Sequence, residues 1–175
     1  MREVATYIDH EMVLKAYKYA SMKHVNDFRA DGVTPYIAHP MNVALAVDCA
    51  PMATVEMVTA AILHDVVEDT DTTIEDIELF FGKKVASYVK EVTYPADIPN
   101  RRDYIIDHVK FLSDGARLIK LADVTCNLID LEDSGWSDAK KEAYKDYLIR
   151  VRFALAGTDG WMEEMFDTVY AKMKD

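Results

Sequence analysis

His64, Asp65, Glu68 and Asp69 close an apolar run, with Ala60-Ala61-Ile62-Leu63 before them and Val66-Val67 between. Read as one helix at about 100° per residue, the four side chains fall within an arc of about 140° on one face. Imidazole beside carboxylate is a donor set for Mn²⁺, Fe²⁺ or Zn²⁺, and the two further carboxylates suit proton transfer. The plainer reading is a helix turn that has reached solvent. Against it, an apolar run seldom ends in adjacent His and Asp unless something pairs with them.

A second apolar run repeats the pattern. Leu118-Ile119-Lys120-Leu121-Ala122-Asp123 sets a carboxylate in an otherwise buried stretch, with Asn127 one turn later on the same face. Asp123 could cap a helix or pair with Lys120. Its neighbours Leu121, Ala122 and Leu128 favour a metal or another charged partner over solvent. His39 stands at a loop-to-helix junction where Pro40 fixes the backbone, a place where a lone His is usually structural. Together, His39, His64, Asp65 and Asp123 make a coherent octahedral site with positions left for water and substrate.

Helices must position these groups. Apolar positions from about Thr6 to Phe28 recur at helical spacing, and Asp31-Gly32-Val33-Thr34-Pro35 then forms a loop. Met41–Cys49 continues a helix begun near Pro40, and Pro51 is expected to open the next, which carries His64. Thr72-x-x-Glu75 reads as a capping box for a helix through Phe80, stopped by Gly82. Further helices are expected over Lys83–Thr93, from Asn100 to about Leu112, over Arg117–Leu131, from Ser137 to about Ala156, and on to Lys172. Ser113-Asp114-Gly115 reads as an interruption. With no repeat, linker or low-complexity run, residues 1–175 read as one all-α domain.

Composition narrows the partners. A net charge of −11 argues against general binding to nucleic acid or anionic membrane, though a locally basic site can still take a phosphorylated small molecule. Cys49 and Cys126 form no CxxC pair and read as free thiols in a reducing compartment. Met1–His10 has no apolar core of the kind a signal peptide needs, and no run approaches the ~20 apolar residues of a membrane span. The expectation is a cytoplasmic protein, with oligomeric state left open.

Five segments occur in order: Tyr36-Ile37-Ala38-His39-Pro40, Leu63-His64-Asp65-Val66-Val67-Glu68-Asp69-Thr70, Phe81-Gly82, Val92-Thr93 and Lys120-Leu121-Ala122-Asp123. From about Ala20 to Leu155 the chain resembles the HD-domain hydrolases of the RelA/SpoT group. The resemblance implies an all-α HD fold and Mn²⁺ held by His39, His64, Asp65 and Asp123, a donor set that Fe²⁺ or Zn²⁺ would also fit. It implies hydrolysis of the 3′-diphosphate of ppGpp and pppGpp to GDP or GTP and pyrophosphate, with Glu68 and Asp69 as the catalytic acidic pair. Arg29 matches a family arginine that could stack on guanine, Asn127 an asparagine near ribose and phosphates, Tyr144 a tyrosine near the nucleotide, and Lys140 a basic phosphate-side position. On the residues alone, Arg29 would be an exposed loop arginine, Tyr144 helix packing and Lys140 a solvated face. His24 matches a family histidine expected to be hydrogen-bonded in the core.

The chain departs from the family at Asn26-Asp27, Ala30, Cys126 and Ile129, the last replacing a phosphate-side cation in many members. None of these touches the expected metal ligands or acidic pair. Rival readings are the same chemistry on another phosphorylated nucleotide such as NADPH, a nucleotide-sensing HD module with little turnover, and an HD-type di-iron oxygenase. The intact acidic pair disfavours the sensor. The oxygenase would need further His or Glu ligands.

Overall fold

The computed structural model describes residues 7–173, with side chains from residue 11 onward. The helix start expected near Thr6 and the reading of Met1–His10 rest on residues outside that description. Among the described residues the architecture is all-α, with one isolated antiparallel bridge between Phe28 and Pro35. The helices run α1 (Tyr7–Lys23), α2 (Ala38–Cys49), α3 (Val55–Leu63), α4 (Val66–Asp69), α5 (Ile74–Phe81) and α6 (Lys83–Val92). They continue as α7 (Arg101–His108), α8 (Asp114–Asp130), α9 (Asp138–Ala154) and α10 (Gly160–Lys172), with a 3₁₀ turn Val109–Phe111 between α7 and α8.

The centre is α3 and α8. Ala60, Ala61, Ile62 and Leu63 are wholly buried, as are Leu118, Ile119, Leu121 and Leu128. A helix apolar on most sides belongs in the middle of a bundle. Accordingly α3 packs on α1, α2, α6 and α8, while α8 also meets α2, α6, α9 and α10. Small side chains let backbones approach: Ala16 and Ala20 of α1 are fully buried on the side of α1 that packs near α3.

Three boundaries differ from the sequence expectation, each for a local reason. Pro51 does not open α3, because the Thr54 hydroxyl caps it by accepting from the Met57 amide at 3.4 Å. The capping box before α5 is Thr73 with Asp76, one residue later than Thr72 with Glu75. Thr72 is buried, and its hydroxyl is taken by Thr70 at 3.0 Å and by Tyr19 at 3.3 Å. Gly115 lies inside α8 and does not break it: a Cβ there would come within 2.5 Å of the buried Tyr88 ring, so glycine serves the close approach of α8 and α6. Gly82, at φ 87°, does end α5 as expected.

Candidate active site

The opening stretch is not one continuous helix. α3 ends at Leu63, the chain turns at His64 and Asp65, and α4 restarts at Val66. The break has a visible cause, since the His64 Nδ1–H donates to the carbonyl of Ala61 at 2.8 Å, satisfying a last-turn carbonyl of α3 with a side chain. The turn aims His64 and Asp65 at one point, where the first turn of α2 brings His39 and the middle of α8 brings Asp123.

Donor atoms there are close. His39 Nε2 lies 3.1 Å from Asp123 Oδ1 and 3.8 Å from Asp65 Oδ2, and His64 Nε2 lies 3.1 Å from Asp65 Oδ2 and 3.7 Å from Asp123 Oδ1. Ligands held about 2.1 Å from one ion and at right angles to each other sit about 3 Å apart. His39, His64 and Asp65 can each offer one donor within 4.8 Å of the others. With Nδ1 donating to Ala61, the neutral His64 ring has its lone pair on Nε2, a buried atom with no hydrogen-bond partner. That orphaned lone pair fits a cation.

The electrostatics agree. Burial opposes charge on His64, yet Asp65 and Asp123 outweigh it and lift the imidazole to about 10. Burial dominates at His39 and pushes that imidazole down, despite Asp123 beside it. Burial also resists ionisation of Asp123, but Lys120 and the two imidazoles hold its carboxyl well below the usual range. A pocket that draws a proton onto a buried imidazole between two carboxylates is short of positive charge, and a divalent ion fills that deficit.

Neighbouring side chains orient these donors. Lys120 Nζ donates to Asp123 Oδ2 at 2.7 Å and Asn127 Nδ2 to Asp123 Oδ1 at 2.6 Å. Pairing with Lys120 and facing the histidines are thus both true of Asp123, through different oxygens. The Tyr36 hydroxyl donates to Asp65 Oδ2 at 2.7 Å, and its ring lies against His24, whose Nδ1 is bonded to Asp27 at 3.0 Å. His24 is buried and outside the donor cluster.

The cluster opens into a cavity of about 670 Å³ whose lining includes Arg29, Glu68, Asp69, Asn127, Arg102 and Tyr144. Glu68 accepts from the Tyr94 amide at 3.1 Å and is bonded to the Arg101 guanidinium. Asp69 reaches solvent at one edge, but the burial of its carboxyl, then the charges of Asp65 and Glu68, hold it above the usual range. Arg29 is not a free loop arginine. Its guanidinium donates to Asp130 Oδ2 at 2.9 Å and Asn127 Oδ1 at 2.8 Å, with Cζ 5.5 Å from the Tyr36 ring.

Lys140 does not line this cavity. It is exposed, its ammonium over the face of Trp136 at 3.5 Å from the ring centre, and it is Trp136, just before α9, that lines the cavity. Cys126 and Ile129 also face elsewhere, onto a separate apolar depression that includes Trp161 and Met165. The missing cation expected at Ile129 therefore falls outside the cavity. Several lining groups were not singled out from the sequence, among them Tyr36, Arg101, Arg102, Asp130 and Tyr147. Tyr36 is an unremarked member of the His39 segment. Two consecutive arginines after Pro99-Asn100 were a usable signal, for cations at a helix N-terminus oppose its dipole.

The HD domain profile matches residues 16–161. The chain belongs to the HD domain family. Its HD domain is 37% identical over 165 residues to mouse guanosine-3′,5′-bis(diphosphate) 3′-pyrophosphohydrolase MESH1, covering 90% of this chain and 92% of that protein. Human MESH1 is 38% identical over 159 residues, covering 87% and 89%. A solved structure described as a metazoan ortholog of SpoT that hydrolyses ppGpp and plays a role in starvation responses superposes with a TM-score of 0.88 at 31% identity, over 98% of each chain. Among the described residues, no helix of this HD domain is long and apolar enough to cross a membrane.

Proposed function

We propose that this HD-domain protein is a metal-dependent pyrophosphohydrolase that removes the 3′-diphosphate of guanosine tetra- and pentaphosphate, yielding GDP or GTP and pyrophosphate. The observation that carries the reading is the joining, in one cavity of about 670 Å³, of a charge-deficient His–Asp cluster, a carboxylate pair and a set of cations. That combination suits a polyanionic nucleotide and its hydrolysis. The relatives named for this activity, matched over nearly their whole length, support the same substrate class.

His39, His64, Asp65 and Asp123 would hold the ion, for which we propose Mn²⁺ on the mixed nitrogen and carboxylate donors. When bound, such an ion acidifies a water molecule and draws charge from a phosphoryl oxygen. The chain's own residues do the rest. Asn127 and Lys120 occupy the two oxygens of Asp123 and fix its plane, and Tyr36 does the same for Asp65. Glu68 and Asp69 share the proton traffic: one accepts a proton from the attacking water, and one delivers a proton to the 3′-oxygen as its bond to phosphorus breaks. Arg29, fixed edge-on by Asp130 and Asn127, keeps a guanidinium face for the base. Tyr144 lines the nucleotide's path.

The test is a panel of phosphorylated nucleotides with Mn²⁺, scored for pyrophosphate against orthophosphate. Pyrophosphate released from ppGpp, and from nothing lacking a 3′-diphosphate, is the expected outcome. Orthophosphate released from a ribose monophosphate as the preferred reaction would replace this reading with the monophosphatase one.

A further inference from the structure

We infer that Arg102 is the residue that grips the outer phosphate of the substrate's diphosphate and so sets the preference for a diphosphate over a monophosphate. This inference rests on the proposed phosphohydrolase reading and assigns a specificity residue within it.

The argument starts from charge. Four Lys or Arg side chains line the cavity among the described residues: Arg29, Arg101, Arg102 and Lys120. Three are already neutralised. Arg29 is paired with Asp130, Arg101 with Glu68, and Lys120 with Asp123. Arg102 has no carboxylate partner among the described residues. Its guanidinium carbon instead lies 5.3 Å from the centre of the Tyr144 ring and 5.4 Å from that of Tyr147. Burial raises both phenols above their ordinary range, so the rings are neutral and leave the cationic charge uncancelled.

This mode of holding matters. A guanidinium carries five N–H donors, and attraction between its charge and an aromatic ring does not require any of them to be taken by an acceptor. The two tyrosines, whose ring centres are 5.7 Å apart, thus hold Arg102 by its charge, and among the described residues its guanidinium makes no hydrogen bond that would compete with a ligand. A phosphate is the natural bidentate acceptor for such donors.

Position on the chain says which phosphate. Arg102 follows Arg101 on α7, both line the cavity and Arg101 is bonded to Glu68, so the start of α7 borders the reacting end of the cavity. Yet Arg102 reaches the cavity from the side of Tyr144 and Tyr147 on α9, away from the donor cluster of α2, α3 and α8. A phosphate one step beyond the attacked phosphorus fits that place. Arg101 and Arg102 also open α7 at the positive end of its dipole, behind Asn100 at φ 51° with no side-chain cap. Folding alone would favour carboxylates there. An anion bound at that point would reverse the penalty.

Binding of inorganic pyrophosphate and of orthophosphate to the Mn²⁺-loaded protein tests the inference without relying on ppGpp turnover. Arg102→Met should weaken pyrophosphate binding about 10- to 100-fold, with orthophosphate changed less than about 2-fold and Mn²⁺ affinity unchanged. Arg102→Lys, which keeps the charge and loses the fork, should fall between. Arg102 is exposed, so its removal leaves the core intact, and the thermal midpoint is expected to stay put. Unchanged pyrophosphate affinity in Arg102→Met overturns the inference. So does an equal loss for the two anions, which would move Arg102 to the attacked phosphorus. Failure of ppGpp hydrolysis with this binding difference intact would count against the proposed substrate and leave Arg102's role standing.

Discussion

The two ends of the cavity are built differently. At the metal end, His39, His64 and Asp123 are each no more than about a twentieth exposed, His39 and Asp123 on helices α2 and α8 and His64 directly after α3. At the other end Arg29 lies in the 24–37 connection, held to α8 by Asp130 and Asn127 and bordered by exposed Ala30. Packing makes the first end rigid, because moving a donor would mean moving α3 or α8. Ion pairs near solvent make the second adjustable, since such pairs are weak and a loop tolerates substitution. The chain's departures Asn26, Asp27 and Ala30 all fall in that loop. The chemistry is therefore expected to be far less variable than the choice of base.

The largest effect expected from this contrast is at Asp123. Asp123→Ala removes a donor from the cluster and leaves Lys120 buried without its carboxylate. Activity should fall by orders of magnitude, and metal analysis of the purified variant should show a substoichiometric ion. Full occupancy with normal turnover would show that the buried end is not a metal site.

Next in size is the acidic pair. Glu68→Gln with Asp69→Asn keeps the shapes and removes the charges, so metal and nucleotide should still bind while turnover slows about 10²- to 10⁴-fold. Glu68 is held by Arg101 and the Tyr94 amide, and neither carboxylate belongs to the donor cluster. Loss of the ion, with the rate per bound ion retained, would make them ligands and merge the two functions separated here.

The same contrast explains what could be read from residue order. His64, Asp65 and Asp123 were legible because they interrupt apolar runs, and a buried ionisable group needs a partner wherever the chain later goes, whereas His39, at a loop-to-helix junction, gained weight only in combination with them. Their convergence from α2, the α3–α4 turn and α8 follows from the burial of those same runs. The turn at His64 was not legible, for a side chain taking a backbone carbonyl leaves no trace in hydrophobic periodicity. Thr72 against Thr73 was a choice between adjacent capping residues that only Tyr19, distant in sequence, decides. The cavity's outer cations were hardest. Lys140 and Arg102 are both exposed basic residues at the start of helices, and what separates them is which face of the aromatic cluster each meets. Trp136 takes Lys140 on the outside; Tyr144 and Tyr147 take Arg102 on the inside.

The smallest effect expected is at the adjustable end, and it is the one that bears on base recognition. Arg29 spends its edge on Asp130 and Asn127, so its contribution to a nucleotide comes from a stacked face alone. A partly desolvated stacked guanidinium is worth roughly 0.5–2 kcal/mol, which converts to about a 2- to 30-fold loss of affinity. Arg29→Ala should therefore raise KM for ppGpp within that range and move kcat little, the signature of binding shared by ground and transition states. Asp130→Asn, which removes the counter-charge but leaves the arginine, should give a smaller rise in the same direction as the guanidinium loses its anchor. A small phosphoester with no base should be nearly indifferent to both changes. Asn127 complicates only one limb, because it bonds Asp123 as well as Arg29. If stripping Arg29 lets Asn127 shift, kcat and metal affinity will fall together on every substrate, the baseless ester included. That pattern would show that the two ends of the cavity are mechanically joined through one amide, and that Arg29 reads no base.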